Sequence, residues 1–479
     1  MPKPRITLLE PNEVAEIHAT SLRVLSEVGV RIHHRQVLER MAAAGAKVDF
    51  DAKLARFDEG TVMGSIEKAT KRYALAGRDP SRTARLGYGD LNLISSPGQF
   101  AWFDHKTGER REPVLEDTRL AIRLGDALAN ITIVGAMTVP VDVPPPIRDV
   151  ALTAELLRGT TKPTRCWPIT RRSSEYVLEI YKAVAGGRQA LRRSPMVEVF
   201  LEPISPLQLP ETGLDVMLAF LDHGQPVSIG PMAMTSGTAP TTLAGTLAQE
   251  NAEILAGIVV IQALAPGTPV MYGGIPHIMD PRTSICSFGS PEQGLMAVAM
   301  VQLARSYGFP VYINVNLTDS KVLDAQAGME KMGSLVQGIL AGADLFGHAG
   351  IRGTDHGGSL LWLVADDEAM TFARRIAAGF SVDHESLAFD VIAETGPGGN
   401  YLSHDHTLKH FRSELLIPDA AWTRDAYDVW RTKGSTRFED RVGERLASIL
   451  QTHQPAPIDP ALDQEITLIV DKARQELVG

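Results

Sequence analysis

Apolar positions along this chain follow first a helical spacing and then an alternation of short extended runs with longer helical ones. Val14, Ile17, Leu22, Leu25 and Val28 fall on one helical face and Gly29 ends the run; a second amphipathic stretch, Gln36 to Ala44, stops at Gly45. Residues 1–98 therefore read as a mainly helical N-terminal cap region. Beyond them, eight β-branched or aromatic runs suggest strands: Phe100–Phe103, Thr132–Thr138, Thr164–Ile169, Met196–Leu201, Pro226–Gly230, Pro269–Tyr272, Val311–Val315 and Asp344–His348. Helical patterns with one apolar face separate them, for example Leu243, Leu247, Ile254, Ile258 and Ile261. This succession predicts an α/β protein, a (β/α)8 TIM barrel over residues 99–379, with a C-terminal extension, 380–479, packed on it as a tail. The tail ends in an amphipathic helix from about Asp463 to Leu477. An open doubly wound sheet is the rival, but no Gly-x-Gly-x-x-Gly follows a strand and no P-loop is found.

In a parallel barrel the chemistry gathers where strands end. Those ends carry Trp167, Glu198, Glu202, Tyr272, His277, Asn314, Asn316, His348 and, four residues further on, Arg352. Glu198 and Glu202 share a side of their strand by its period of two. They serve either to attract a cation or to pair with an arginine, because an unpaired buried carboxylate costs several kcal/mol. Trp167 and Tyr272 are either cage walls or core. His404, His406 and His410 resemble a zinc set only in spacing; no Glu stands beside them as in His-Glu-x-x-His, and hydrogen bonds tying the tail to the barrel explain them better. Gly396 to Asn400 reads as a turn, and Ser290-Pro291-Glu292-Gln293 as a capped helix start.

Composition narrows the partners. With 44% hydrophobic and 22% charged residues the chain can bury a large core. A net charge of -10 argues against nucleic acid as a partner and suits a cationic ligand. No apolar run reaches the ~18 residues that span a bilayer, and Met1 to Glu10 has no signal-peptide core, so a cytoplasmic location without membrane contact is expected. Only Cys166 and Cys286 are present, which excludes a disulfide framework or a cysteine-rich zinc site.

Four sets of motifs, in order from about residue 95 to the end, carry a resemblance. They are Gly289-Ser290-Pro291-Glu292; Leu317-Thr318-Asp319-Ser320-Lys321 with Asp324-Ala325-Gln326-Ala327-Gly328; Ala341-Gly342-Ala343-Asp344 with Gly347-His348-Ala349-Gly350; and Glu394-Thr395-Gly396-Pro397-Gly398-Gly399-Asn400 with His406-Thr407-Leu408-Lys409-His410-Phe411-Arg412. Together they resemble the trimethylamine methyltransferase family, which implies a (β/α)8 barrel and methyl transfer from an amine to a corrinoid protein. Founding members carry pyrrolysine; this chain has only standard residues, so it is similar to the branch acting on quaternary amines such as glycine betaine.

The resemblance further implies cob(I)alamin as acceptor. None of the thirteen histidines has Asp two positions before it, as a corrinoid-binding Asp-x-His-x-x-Gly requires, so a partner protein is expected to carry the corrinoid. No tightly bound metal is expected, no residue is assigned as acid, base or nucleophile, and the chain is expected to form a homo-oligomer. Trp167, Tyr272, Glu198 and Glu202 are the candidates for a trimethylammonium cage, and His348, Arg352, Asn314 and Asn316 for a substrate carboxylate. Other readings open on the residues are a metal-dependent barrel hydrolase or lyase, a zinc-dependent thiol methyltransferase, which the cysteine count disfavours, and a non-catalytic quaternary-amine binding protein.

Overall fold

In the computed structural model, which describes residues 4–417 and 421–479, eight strands share one all-parallel sheet. They are β1 (Asn92–Ser95), β2 (Ile131–Gly135), β3 (Thr164–Arg165), β4 (Val199–Leu201), β5 (Val227–Ile229), β6 (Val270–Gly274), β7 (Val311–Asn314) and β8 (Leu345–Ala349). Their hydrogen-bonded order is β3-β2-β1-β8-β7-β6-β5-β4, so the first and last strands in the chain are neighbours and the sheet is curled. Between successive strands the ladder is missing only from β3 to β4. A helix follows each strand: α1 (Leu115–Ala127), α2 (Arg148–Gly159), α3 (Arg171–Ala185), α4 (Glu211–Asp222), α5 (Leu243–Leu264), α6 (Pro291–Ser306), α7 (Ala325–Ala341) and α8 (Leu360–Ala378). Every residue of β1, β5, β6 and β7 is buried, as expected where helices cover one face and a filled lumen the other.

The first strand corrects the sequence reading. β1 is Asn92–Ser95, not Phe100–Phe103. Pro97 and Gly98 interrupt the chain, Phe100 is 80% exposed, and Trp102–Phe103 joins a small sheet with Arg110–Arg111 and Gly357–Gly358. The segment ahead of β1 forms the two expected helices as Pro11–Arg23 and Arg35–Ala43, and adds a third helix, Glu59–Lys68, and several short strands. One of its hairpins, Tyr73–Ala76 with Thr83–Leu86, plugs the lumen: Tyr73, Leu75, Ala84 and Leu86 pack on Ile94, Ile133, Met271, Tyr312 and Leu345.

Helix α5 is long and apolar enough to cross a membrane by length and composition alone, an apolarity that the expectation of no such run overlooks. It is a core helix, with Glu250, Asn251 and Glu253 buried in it; Ser21 of the N-terminal helix donates to its Ala248 carbonyl at 2.8 Å.

The C-terminal extension divides. Helix Phe438–Thr452 packs on α8, where Arg445 reaches Asp367 at 3.1 Å and Glu368 at 2.5 Å, and Pro460–Leu477 is held by Arg158 to Asp463 at 2.6 Å. By contrast, the short helices His384–Leu387, Phe389–Thr395, Asp405–Glu414 and Tyr427–Thr432 contain no buried residue. The histidines there do not tie the tail to the barrel: His404 lies 3.5 Å from Glu394, His410 3.7 Å from Glu385, and the His406 and His410 rings are 4.4 Å apart. Among the described residues these partners all belong to the same arm, residues 380–432.

Candidate active site

The site is built in two storeys at the C-terminal ends of the strands. At its floor the Arg165 guanidinium, from β3, forms an ion pair with Glu198 just ahead of β4, so side chains join the two strands that share no backbone ladder. Tyr73 of the plugging hairpin donates to the other carboxylate oxygen at 2.5 Å. The aromatic rings of Phe200 and Tyr312 each lie 5.8 Å from the guanidinium carbon. Glu198 is thus a neutralised structural carboxylate.

Above it the Tyr312 hydroxyl stands 2.5 Å from Asn314 Oδ1 and 2.7 Å from His348 Nε2. With the amide oriented this way Oδ1 can only accept, so the phenol proton goes to Asn314 and the His348 Nε2–H donates to the phenol oxygen. Burial, with Arg165 and His277 adding repulsion, pushes the His348 imidazole down to about 3, so it is neutral. Gln293, in the first turn of α6, donates to the Asn314 carbonyl at 2.6 Å, and Ser290 caps that helix by accepting from Gln293 N.

The upper storey is a cavity of about 380 Å³ whose lining includes Gln99, Thr138, Arg148, Trp167, Glu202, Met232, Phe288, Asn314, His348 and Asp355. A narrower pocket shared with Arg165, Phe200 and Tyr312 continues it downward. Two carboxylates hold its rim, Glu250 fully buried and Asp319 half-buried. Glu250 of α5 accepts from Ala233 N at 3.0 Å and Ile275 N at 3.2 Å, fixing the loops after β5 and β6. Asp319 accepts from Ser287, Phe288 N and Thr354 at 2.5, 2.7 and 2.6 Å, latching the loops after β6, β7 and β8.

Glu202 differs from these. Among the described residues its carboxylate has no hydrogen-bond or ion-pair partner, and burial, then the Asp355 charge, raises its pKa above the usual carboxylate value. The Trp167 indole stands beside it in both storeys and is 48% exposed. An unpaired carboxylate among aromatic and thioether side chains has the chemistry to attract a cation. Burial pushes both thiols, Cys166 and Cys286, up to about 12, so neither offers a thiolate near neutral pH. A wider cleft of about 680 Å³, lined by Arg375, Phe380 and Arg424, lies at the base of the arm, away from the strand ends.

Of the eight residues expected from sequence to hold the substrate, Trp167, Glu202, Asn314 and His348 meet around the cavity and Glu198 lies beneath it. Three lie elsewhere. Tyr272 faces outward, fully buried, its hydroxyl donating to Asn251 of α5 at 2.8 Å. Asn316 is buried against α7, its backbone carbonyl accepting from Lys331 at 2.8 Å and its backbone N–H donating to Ser334 at 3.1 Å. Arg352 sits on the rim, 4.1 Å over the Phe103 ring and bonded to the Lys321 carbonyl. Sequence reasoning missed Phe200 and Tyr312, although each lies two residues from a chosen position and shares its face, and it missed Arg148, Arg165, Met232, Phe288 and Asp355.

Comparison with known proteins places this geometry. The family described as trimethylamine methyltransferase (MTTB) matches residues 1–478. The chain is 31% identical to a glycine betaine methyltransferase of Desulfitobacterium hafniense strain Y51, covering 99% of this chain and 98% of that one. It is also 31% identical to the trimethylamine methyltransferase MttB of D. hafniense strain DSM 10664 / DCB-2, over 97% of this chain and 93% of that one. In fold it is similar to the Methanosarcina barkeri monomethylamine methyltransferase MtmB, with a TM-score of 0.55 at 11% identity, covering 99% and 88% of the two chains. The chain belongs to the trimethylamine methyltransferase family and is a methyltransferase by that membership.

Proposed function

We propose that this methyltransferase takes a methyl group from a quaternary amine of the glycine betaine type and gives it to cob(I)alamin carried by a partner protein docked over the strand ends of a functionally closed barrel. The observation that carries this reading is Glu202, a carboxylate with no counter-ion among the described residues, which lines the cavity together with Trp167. A trimethylammonium head has no N–H to donate, so π faces, carboxylates and close packing are what recognise it. The name of the D. hafniense relative, matched end to end, supports the same substrate class.

The reaction needs little from the protein beyond position. The breaking C–N bond leaves its electron pair on nitrogen, giving a neutral tertiary amine, while the methyl group passes to the acceptor; no proton moves. That balance suits a cavity with a neutral His348 and two un-ionised thiols. Holding two reactants in line supplies roughly 7 to 11 kcal/mol of barrier reduction. The acceptor, when docked, supplies the nucleophile. Trp167 and Phe100, 48% and 80% exposed at the opening, offer it a flat apolar rim. Incubation with cob(I)alamin and a panel of quaternary amines, scored for methylcobalamin, tests the proposal; product with none of them would refute it.

Two further parts of the reading concern the whole chain. Phe380, Leu387, Phe389, Leu402, Leu408 and Leu415 of the arm are each more than 60% exposed. Such an apolar surface, on the order of the ~800 Å² that each partner contributes to a stable interface, fits association with a second copy. Sedimentation at micromolar concentration should give a dimer or larger species; a monomer contradicts it. A cytoplasmic location suits an enzyme with two free, un-ionised thiols, and activity confined to a membrane or secreted fraction would refute it.

A further inference from the structure

Among the described residues, one cation lines the same cavity without an ion-pair partner. Arg148, the first residue of α2, borders it with Gln99, Thr138 and Glu202. Its Nε and Nη2 both lean on one acceptor, the Val143 carbonyl, at 3.3 and 3.2 Å, and its Nη1 has no partner among the described residues. Among the described residues no carboxylate reaches it. The adjacent Asp149 is occupied elsewhere, accepting from Val150 N at 2.9 Å, Ile169 N at 2.8 Å and the Ser173 hydroxyl at 2.5 Å. A guanidinium carries five donors in a planar fork that matches a carboxylate, and here most of them remain unused.

The cavity therefore presents uncompensated charge of both signs: Arg148 positive, Glu202 and Asp355 negative. A simple quaternary ammonium would answer only the second. A zwitterion answers both. The residues expected from sequence to hold a carboxylate are poorly suited: His348 is neutral with its one N–H given to Tyr312, and Arg352 lies outside the cavity on Phe103.

We infer that Arg148 is the anchor for the carboxylate of a betaine, while Glu202 faces its ammonium, so that Arg148 sets the preference for betaines over quaternary amines with an uncharged tail. The inference rests on the quaternary-amine reading above and adds the residue that selects within it. Two charge-assisted hydrogen bonds orient the carboxylate, and the methyl groups then face the carboxylate and indole side of the cavity.

The test compares wild type, Arg148→Gln and Arg148→Lys, each checked for an unchanged melting profile. Calorimetric titration with glycine betaine and with choline measures binding without any corrinoid, and methyl transfer from both is measured in parallel. Arg148→Gln should weaken glycine betaine binding about ten- to a hundredfold and choline binding by no more than about twofold, with Arg148→Lys between. Equal weakening of both ligands overturns the inference, as does a change seen only in the amount of corrinoid acceptor needed. If wild type binds neither ligand and transfers methyl from neither, the quaternary-amine reading itself falls, and this inference with it. If Arg148→Gln is unstable, Arg148→Lys decides: it too must discriminate between the two ligands.

Discussion

Glu198 and Glu202, four residues apart at the same strand, both serve the lumen, yet Arg165 and Tyr73 neutralise the first while the second has no partner among the described residues. The two should therefore fail in different ways. Glu198→Gln leaves the buried Arg165 charge uncompensated and should cost about 3 to 5 kcal/mol of stability, read as a lowered denaturation midpoint. Glu202→Gln should leave the midpoint unchanged or raised and reduce kcat/KM for quaternary amines by roughly ten- to a hundredfold. Interchanged phenotypes would refute the division of roles.

Trp167 is a half-exposed aromatic side chain that lines both pockets with the unpaired carboxylate. Its replacement by Ala should cost about 0.5 to 2 kcal/mol of cation binding, a few-fold to thirtyfold in KM, while Trp167→Phe should keep most of the affinity. Equal losses in both variants would assign the indole to packing or to the docked partner.

The pH dependence has a definite sign. Burial and Asp355 raise the Glu202 carboxyl, so protons compete with the cation at a higher pH than for an ordinary glutamate. kcat/KM should fall as pH drops through that raised value, and Glu202→Gln should lack this limb. His348, held at about 3, stays neutral and contributes no titration near 6.5. A limb near 6.5 that survives in Glu202→Gln would contradict this.

Tyr272 offers a control outside the cavity. Tyr272→Phe removes the hydroxyl that donates to the buried Asn251 Oδ1 and should cost about 1 to 3 kcal/mol of stability with kcat/KM unchanged. A selective loss of amine affinity would return Tyr272 to the cage.

Much of the sheet is legible in the sequence because its strands are buried on both faces. Runs such as Val311–Asn314 stand out as continuous apolar segments. β1 is less visible, since Asn92 and Ser95 bracket only two apolar residues and the more aromatic Phe100–Phe103 follows closely; what selects Asn92–Ser95 is pairing with β8, a non-local contact.

The face of an aromatic near a strand end is likewise a matter of register. Tyr272 pairs with Ile229 and Val311, and Ile229 points at Gly257 of α5, so that row lies on the outer face. His348 turns inward beside a ladder irregularity between Phe346 and Ala349, which a simple alternation does not describe. The Arg165–Glu198 pair spans a seam that no local pattern encodes, and Arg148 and Asp355 reach the cavity from separate βα units.

The central claim is that the methyl group leaves a quaternary nitrogen bound beside Glu202 and passes directly to the corrinoid. Single-turnover reaction of glycine betaine bearing trideuteromethyl groups with stoichiometric cob(I)alamin tests it most directly. One dimethylglycine and one trideuteromethylated cobalamin should form per turnover, with all three deuteriums retained and the rate about ten- to a hundredfold lower in Glu202→Gln. Demethylation with loss of deuterium, product formed without labelled cobalamin, or an unchanged rate in Glu202→Gln would contradict it.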